Sequence, residues 1–420
     1  MGRGHIADRR RTRWVDAGLT IGCAAAWVAL LSSITTPIED PDLSDGHNYL
    51  RMAQVPFLAY EGIPAPFAYR PGIPALVYLL TRALPFSAAE IFRILAHLGA
   101  VLVLVAAHAI AREAGGGRRS CLVAMSLAAL SLFQVRIPLF FYSLIDVEAM
   151  AVTMLAMLLL WRGSPRACLG VAIPGLLIKE WAMVAVVVAC LELARQSARR
   201  RALGPLIVVS IGAAAAAGVV AWPRLVVATP YSASFLDRID SLESLVSYVG
   251  NWKRLANTAF VWAGYWLPTL MLLTRSRVRA LRDALVGKRL ESSVYCVLVL
   301  VFALVGGTNL MIFATYSLPI QAVLLARLLD REIAAWEILL VFAAVFVFNN
   351  VWAPIPELIS TRQSLFEFVD FYGGWATRVT IKTGYRAIEI ALFIALANAV
   401  RWLQGRKAQL PSTPSTSWPR

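Results

Sequence analysis

The chain has 420 residues, of which 59% are hydrophobic and only 15% are charged, and its formal net charge is +15 at pH 7. A soluble globular protein carries about a quarter charged residues, so this composition excludes an ordinary soluble enzyme and predicts a membrane protein. Such a basic excess is typical of membrane topology and of contact with anionic lipids, and does not indicate nucleic-acid binding.

Apolar stretches that could enter a bilayer recur along the whole chain. The first, at about 15–34, follows four arginines between residues 9 and 13, and we interpret it as an uncleaved anchor because no small-residue cleavage site follows. The remaining long stretches are 89–112, 119–136, 139–161, 203–222, 256–274, 292–308, 310–329, 334–352 and 384–403. We therefore expect an all-α, polytopic transmembrane bundle of about 10–12 spans, with one integral domain over residues 1–404 and a disordered cytoplasmic tail over 405–420.

Two shorter segments predict irregular elements. Residues 167–194 are too long for one straight crossing and too short for two full ones, which predicts a broken or re-entrant hairpin. Pro71 to Leu84 is short and bounded by prolines, and we expect a re-entrant or interfacial helix on the outer side.

Basic residues cluster at the N-terminus, at 115–119, 195–201 and 275–289, and in the C-terminal tail. The positive-inside rule then predicts that both termini are cytoplasmic and that the protein lies in the cytoplasmic membrane of the cell. Two long segments, 34–88 and 353–383, become outer loops in this topology.

The first outer loop, IEDPDLSDGHNYL, is strongly acidic for so apolar a chain. A group transfer to a hydroxyl needs a general base, for which Asp or Glu is a usual choice; Asp45 is the leading candidate. Asp45 precedes a glycine in a turn signal, and Asn48 to Ala59 has the apolar spacing of a short helix. The simpler interpretation is a solvated loop whose aspartates cap helices.

The four carboxylates of this loop, Glu39, Asp40, Asp42 and Asp45, could collect a divalent cation through oxygen ligands. No spacing of His, Asp or Glu in the chain is specific for a metal, so no metal-binding residue is predicted.

Basic and polar residues elsewhere in the predicted outer face indicate an anion site. In FAYRPGIP, Arg70 beside Tyr69 has the planar donor fork that suits a phosphate, although interfacial arginines and tyrosines also serve as membrane anchors. Lys179 and Glu180 interrupt an apolar stretch, and two adjacent side chains point in different directions from a helix, so each needs its own partner. His47 could act as an acid, a base or a hydrogen-bond donor, or be structural.

A further polar interruption is YSLIDVEAM, near the outer end of the 139–161 span. Its Asp146 and Glu148 could line the same cavity, or each could serve a structural hydrogen bond.

In their order and topology these motifs resemble the GT-C glycosyltransferases, in particular bacterial members similar to the dolichyl-phosphate-mannose-protein mannosyltransferase superfamily. The matching segments are DGHNYLRMA (45–53), FAYRPGIPAL (67–76), IDVEA (145–149), LIKEW (177–181) and GGTNLMIFATYSLPI (306–320). One departure is that relatives often have an Asp and a following Arg in the last motif, where this chain has Asn309 and Leu310.

The resemblance implies transfer of a sugar from a polyprenyl-phosphate donor to a glycan, lipid or protein acceptor on the outer face of the membrane. It implies an acidic first-loop base, Asp45 or else Asp40 or Asp42. It also implies donor or phosphate contacts from Arg70 and Lys179, with Glu180 as a supporting polar group.

Two other classes of function remain open. A lipid or sugar transporter or flippase would predict internal repeats and charges at mid-membrane depth, whereas the polar residues here collect at the outer ends of spans. A non-catalytic membrane protein of envelope assembly would not depend on the first-loop carboxylates.

Overall fold

The computed structural model describes residues 3–38, 44–131, 134–227, 250–274, 277–278, 289–305, 310–330, 333–351 and 381–409. All regular elements in these ranges are helical, as the composition predicts. The helices are α1 (Arg3–Ser33), α2 (Gly46–Met52), α3 (Gly72–Ala83), α4 (Ala88–Glu113), α5 (Arg118–Ala129), α6 (Arg136–Phe140), α7 (Asp146–Trp161), α8 (Pro165–Gly175), α9 (Ala182–Arg200), α10 (Gly204–Val226), α11 (Trp252–Tyr265), α12 (Leu267–Leu272), α13 (Arg289–Val305), α14 (Leu310–Thr315), α15 (Leu318–Leu329), α16 (Ala335–Phe346) and α17 (Ile381–Gln409). A 3₁₀ turn, Phe67–Tyr69, and a π-helical turn, Val347–Val351, complete them.

Four helical segments of the described chain are long and apolar enough to cross a membrane: Val15–Ser33, Ala88–Glu113, Gly204–Val226 and Gly384–Gln404. They identify a membrane protein. The number of 10–12 spans, the orientation and the kind of membrane stay predictions.

Helix α4 forms the centre of the bundle. It packs against α1, α5, α7 and α15, and its buried face is built largely from small residues such as Ala96, Gly99 and Ala100. A Cβ atom on Gly99 would lie 3.1 Å from Val147 of α7. Small residues therefore let the two backbones approach closely, as is usual between helices in membranes.

Three of the predicted apolar stretches are interrupted in the structure. The 139–161 stretch breaks between Phe140 and Asp146, and the 256–274 and 310–329 stretches are each divided into two helices. In the last two, a proline stands at the second position of the new helix, Pro268 and Pro319. Proline lacks the backbone N–H that would continue the preceding helix, so it favours a fresh start.

The structure also describes the two shorter segments and the helix predicted in the first loop. The 167–194 stretch does divide into two packed helices, α8 and α9, and Lys179 and Glu180 lie in the bend between them. Pro71 to Leu84 forms α3, which buries Val77 and exposes Leu79. The expected helix from Asn48 to Ala59 is shorter than predicted, because α2 ends at Met52 and turns follow.

A buried ion cluster ties the last helix to the bundle. Glu337 of α16 accepts from Arg277 at 2.9 Å and from Arg401 of α17. Arg401 also donates to the carbonyl oxygen of Met271 at 2.5 Å. A carboxylate so buried is stable only because two guanidinium groups surround it.

Candidate functional site

The FAYRPG segment docks on the bend between α8 and α9. The backbone N–H of Gly72 donates to the carbonyl oxygen of Leu177 at 2.8 Å. A Cβ atom on Gly72 would lie 3.0 Å from backbone atoms of Leu177, closer than most packed Cβ atoms, so glycine suits this contact. The contact brings Arg70 next to Glu180.

Arg70 and Glu180 form a close, mostly buried ion pair. Nε of Arg70 lies 3.0 Å and Nη2 also 3.0 Å from Oε2 of Glu180, and Nη1 donates to the hydroxyl of Tyr49 at 3.2 Å. Only 15% of the Arg70 side chain and 32% of the Glu180 side chain are exposed.

The two side chains hold each other in the charged state. Burial alone would lower the pKa of Arg70, but the Glu180 carboxylate outweighs it and the net shift is upward. Burial would likewise raise the pKa of Glu180, and the Arg70 guanidinium reverses this to a net lowering. Arg70, a predicted phosphate contact, is therefore already paired with a carboxylate.

Lys179, the neighbour of Glu180, turns to another helix and forms an ion pair with Asp146, the first residue of α7. Asp146 also borders a pocket between α6, α7 and α14. The pocket wall is mostly apolar and consists of Gln134, Ile137, Pro138, Leu144, Asp146, Val147, Met150, Ile312 and Thr315. The lysine thus fixes a carboxylate at the edge of a cavity that reaches into the bundle.

Asp45 precedes α2, but its side chain makes no capping hydrogen bond to that helix. The residue is exposed, yet enough protein surrounds it that burial raises its pKa above the ordinary value of 3.8. His47 opposes this shift, Asp146 adds to it, and Arg70 and Lys179 oppose it. An accessible carboxylate with a raised pKa is a suitable proton acceptor.

The position of Asp45 depends on close packing behind it. A Cβ atom on Gly46 would lie 2.0 Å from Oγ of Ser143. Ser143 lies in the break between α6 and α7. The break that the sequence analysis missed therefore provides the surface on which the Asp45 turn rests.

Two further predicted residues have local roles. Nδ1 of His47 donates to the carbonyl oxygen of Ser44 at 2.7 Å, which ties the turn together. The guanidinium carbon of Arg224 lies over the ring of Tyr69, 4.9 Å from the ring centroid. Arg224 in turn lies 3.8 Å from Oε1 of Glu180.

We use the name polar cluster for the six charged residues Asp45, Arg70, Asp146, Lys179, Glu180 and Arg224. Sequence reasoning missed Arg224, although it stands next to a proline and near an aromatic residue, as Arg70 does. It also missed Tyr49, because a single tyrosine forms no distinctive sequence pattern.

An aromatic group packs next to the cluster. Trp181 stacks on Tyr316, with ring centroids 4.1 Å apart and planes 6° from parallel, and it contacts Phe313 at 5.2 Å. The segment after Asn309 thus reaches the bend that carries Lys179 and Glu180.

Several predicted residues lie outside the described part of the chain. These are Asp40 and Asp42, residues 306–309 of the last motif, and most of the 353–383 loop. Within the described ranges, no group of three or more His, Cys, Asp or Glu side chains is arranged to hold a metal ion.

Comparisons with known proteins add no relative: no protein-family model, no curated protein and no solved structure matches this chain.

Proposed function

We propose that the protein is a membrane glycosyltransferase of the GT-C type that transfers a sugar from a polyprenyl-phosphate donor to a hydroxyl of a glycan, lipid or protein acceptor. The supporting observation is the polar cluster: an accessible carboxylate, Asp45, lies within electrostatic reach of Asp146, Arg70 and Lys179. These residues come from three separate parts of the chain: the first predicted outer loop, the start of α7 and the bend between α8 and α9.

In the proposed reaction, the carboxylate of Asp45 removes the proton from the acceptor hydroxyl. The hydroxyl oxygen forms a bond to the anomeric carbon of the sugar, and the bond from that carbon to the phosphate oxygen breaks. The polyprenyl phosphate leaves with the bonding electrons, so its negative charge increases. Nearby cations stabilise this charge as it develops.

The environment of Asp45 suits this role for two reasons. Solvent and substrate can reach the carboxylate, and it is not occupied by a capping hydrogen bond. The surrounding protein raises its pKa, which makes it a stronger base than an aspartate in water.

The test is sugar transfer by purified protein with Asp45→Asn, using a polyprenyl-phosphate sugar as donor. We expect a loss of roughly 10²- to 10⁴-fold in rate, the usual contribution of a general base. Glu61→Gln is the matched control, because Glu61 is an exposed carboxylate in the same outer segment, and it should keep the wild-type rate. Full activity of the Asp45→Asn variant would remove Asp45 as the base.

One observation favours a transporter as the second candidate. Glu148 of α7 is only 7% exposed, and neither of its carboxylate oxygens has a hydrogen-bond partner in the described part of the chain. Isolated carboxyl groups inside a membrane bundle are typical of proton-coupled transport.

Activity in detergent separates the two candidates. Sugar transfer forms a new covalent product and needs no second compartment, so product formed by detergent-solubilised protein supports the enzyme. Movement of labelled lipid across sealed vesicles without any new product would support the transporter. A non-catalytic assembly protein would do neither.

A further inference from the structure

The cations of the polar cluster differ in how completely they are paired. Arg70 has a bidentate carboxylate and a tyrosine hydroxyl, and Lys179 has Asp146. The guanidinium of Arg224 is different, since the nearest carboxylate oxygen among the described residues is 3.8 Å away, beyond hydrogen-bond distance. An anion that arrives at the cluster meets Arg224 without first breaking a buried ion pair.

Arg224 is also held in place and accessible. Its guanidinium stacks over the ring of Tyr69, and Nη1 donates to the carbonyl oxygen of Val220 at 2.5 Å. Its side chain is nevertheless 39% exposed. Stacking restricts a guanidinium while leaving N–H groups at its edge available to an oxygen ligand.

The surroundings of Arg224 are typical of side chains at the depth of lipid headgroups. It lies in the last turn of α10, one of the four helices in the described ranges that could cross a membrane. The following residue, Leu225, is 84% exposed, and the nearby Trp222 packs against Phe57 with ring centroids 5.5 Å apart. Aromatic side chains at the end of an apolar span are typical of the depth where lipid phosphates lie.

We propose that Arg224 is a phosphate-binding residue that takes the phosphate of a lipid-linked ligand at the membrane surface, with Tyr69 as its positioning residue. The chemistry is that of a phosphate ester on an apolar chain. This proposal rests on the proposed function for the identity of the lipid, but it makes a claim about binding that needs no catalysis.

The position of Arg224 also explains how the phosphate would approach the rest of the cluster. Glu180 lies between Arg224 and Arg70 and contacts both. A phosphate on Arg224 would therefore lie beside the Arg70–Glu180 pair, within the same patch as Lys179 and Asp146.

The experiment measures binding of farnesyl phosphate, a short prenyl phosphate, to the purified full-length protein in detergent by isothermal titration calorimetry. Farnesol and inorganic phosphate are titrated in parallel, so that the apolar chain and the phosphate are tested separately. The variants are Arg224→Gln, Arg224→Lys and Arg82→Gln. Arg82 is the matched control, because it is exposed and lies over the ring of Tyr78 at 5.2 Å, as Arg224 lies over the ring of Tyr69.

We expect wild-type protein to bind farnesyl phosphate more tightly than farnesol and to bind inorganic phosphate weakly. Arg224→Gln should weaken farnesyl phosphate at least about tenfold, Arg224→Lys should weaken it less, and neither should change farnesol binding. Arg82→Gln should resemble wild type. Thermal unfolding of each variant verifies that it is folded.

Three results would overturn the proposal. The first is farnesyl phosphate binding that is unchanged in Arg224→Gln. The second is an equal loss in Arg82→Gln, which would indicate nonspecific charge. The third is inorganic phosphate that binds as tightly as farnesyl phosphate, which would remove the lipid from the proposal. If Arg224→Gln weakens farnesyl phosphate binding but the wild-type protein shows no sugar transfer, this inference is supported and the proposed function is contradicted.

Discussion

At the scale of single residues, the candidate site consists of charges that pair across long stretches of chain. Arg70 meets Glu180, which is 110 residues away, and Lys179 meets Asp146, which is 33 residues away. The sequence showed that these residues are out of place in an apolar chain. It did not show their partners, because pairing depends on how α7, α9 and the FAYRPG segment pack.

The raised pKa of Asp45 predicts how the rate of sugar transfer depends on pH. A base must be deprotonated to accept a proton. The pKa of Asp45 is raised above 3.8, and burial is the largest cause. Below that raised pKa, we expect the transfer rate to fall about tenfold per pH unit as the carboxylate is protonated. The midpoint of this acid limb should therefore lie above that of an ordinary aspartate.

The measurement is the initial rate of sugar transfer from pH 3.5 to 8 in buffers of constant ionic strength. The residual rate of Asp45→Asn over the same range is the control, and it should lack this limb. A wild-type midpoint at or below pH 3.8, or the same limb in the variant, would contradict the assignment.

At the scale of elements, breaks in the helices carry the site. Gly46, the neighbour of Asp45, packs against Ser143 in the α6–α7 break, and Lys179 and Glu180 lie in the α8–α9 bend. Hydropathy predicted the second of these and missed the first, because a break flanked by apolar residues leaves an apolar average. Proline marks two other breaks, but between Phe140 and Asp146 there is none.

Substitution of Gly72 tests whether the FAYRPG segment positions Arg70 against Glu180. With Gly72→Ala, the new methyl group would press on the backbone of Leu177, which has less freedom to move than a side chain. We expect a loss of about 1–3 kcal/mol in the free energy of unfolding, the usual cost of overpacking. Sugar transfer should fall as well, since the same contact brings Arg70 to Glu180.

Thermal unfolding and transfer rate of the same preparation would measure both effects. Gly218→Ala is the matched control, because a Cβ atom there would meet nothing within 4 Å, and a helical alanine is more stable than glycine by roughly 0.5–1 kcal/mol. A Gly72→Ala variant as stable and active as wild type would mean that this contact does not position Arg70.

At the scale of the whole molecule, composition correctly predicted a helical membrane protein, and hydropathy closely predicted the ends of two long spans. The predicted 89–112 and 203–222 segments became Ala88–Glu113 and Gly204–Val226. The count of 10–12 spans stays a prediction, and four helical segments of the described chain have the length and hydropathy to cross a membrane. Helices of 12 residues, such as α5 and α15, are roughly 18 Å long and need neighbours to complete a crossing.

The predicted orientation can be tested with introduced cysteines. Glu61 lies in the first predicted outer loop, and Arg201 follows α9 in a predicted cytoplasmic segment; both are exposed. In a background without the five native cysteines, we expect Glu61→Cys to react with a membrane-impermeant maleimide on intact cells. Arg201→Cys should react only after the membrane is permeabilised. The opposite pattern would invert the topology and move the polar cluster to the cytoplasmic side.

The bend between α8 and α9 has a consequence for how this part of the chain can vary. Lys179 and Glu180 are adjacent in sequence but are held by partners on different elements, α7 and the segment after the 3₁₀ turn. A single inserted or deleted residue before them would rotate both side chains away from their partners at once and leave Asp146 and Arg70 uncompensated. Side chains in this bend can therefore change more freely than its length, and homologous sequences that retain the site should align here without gaps.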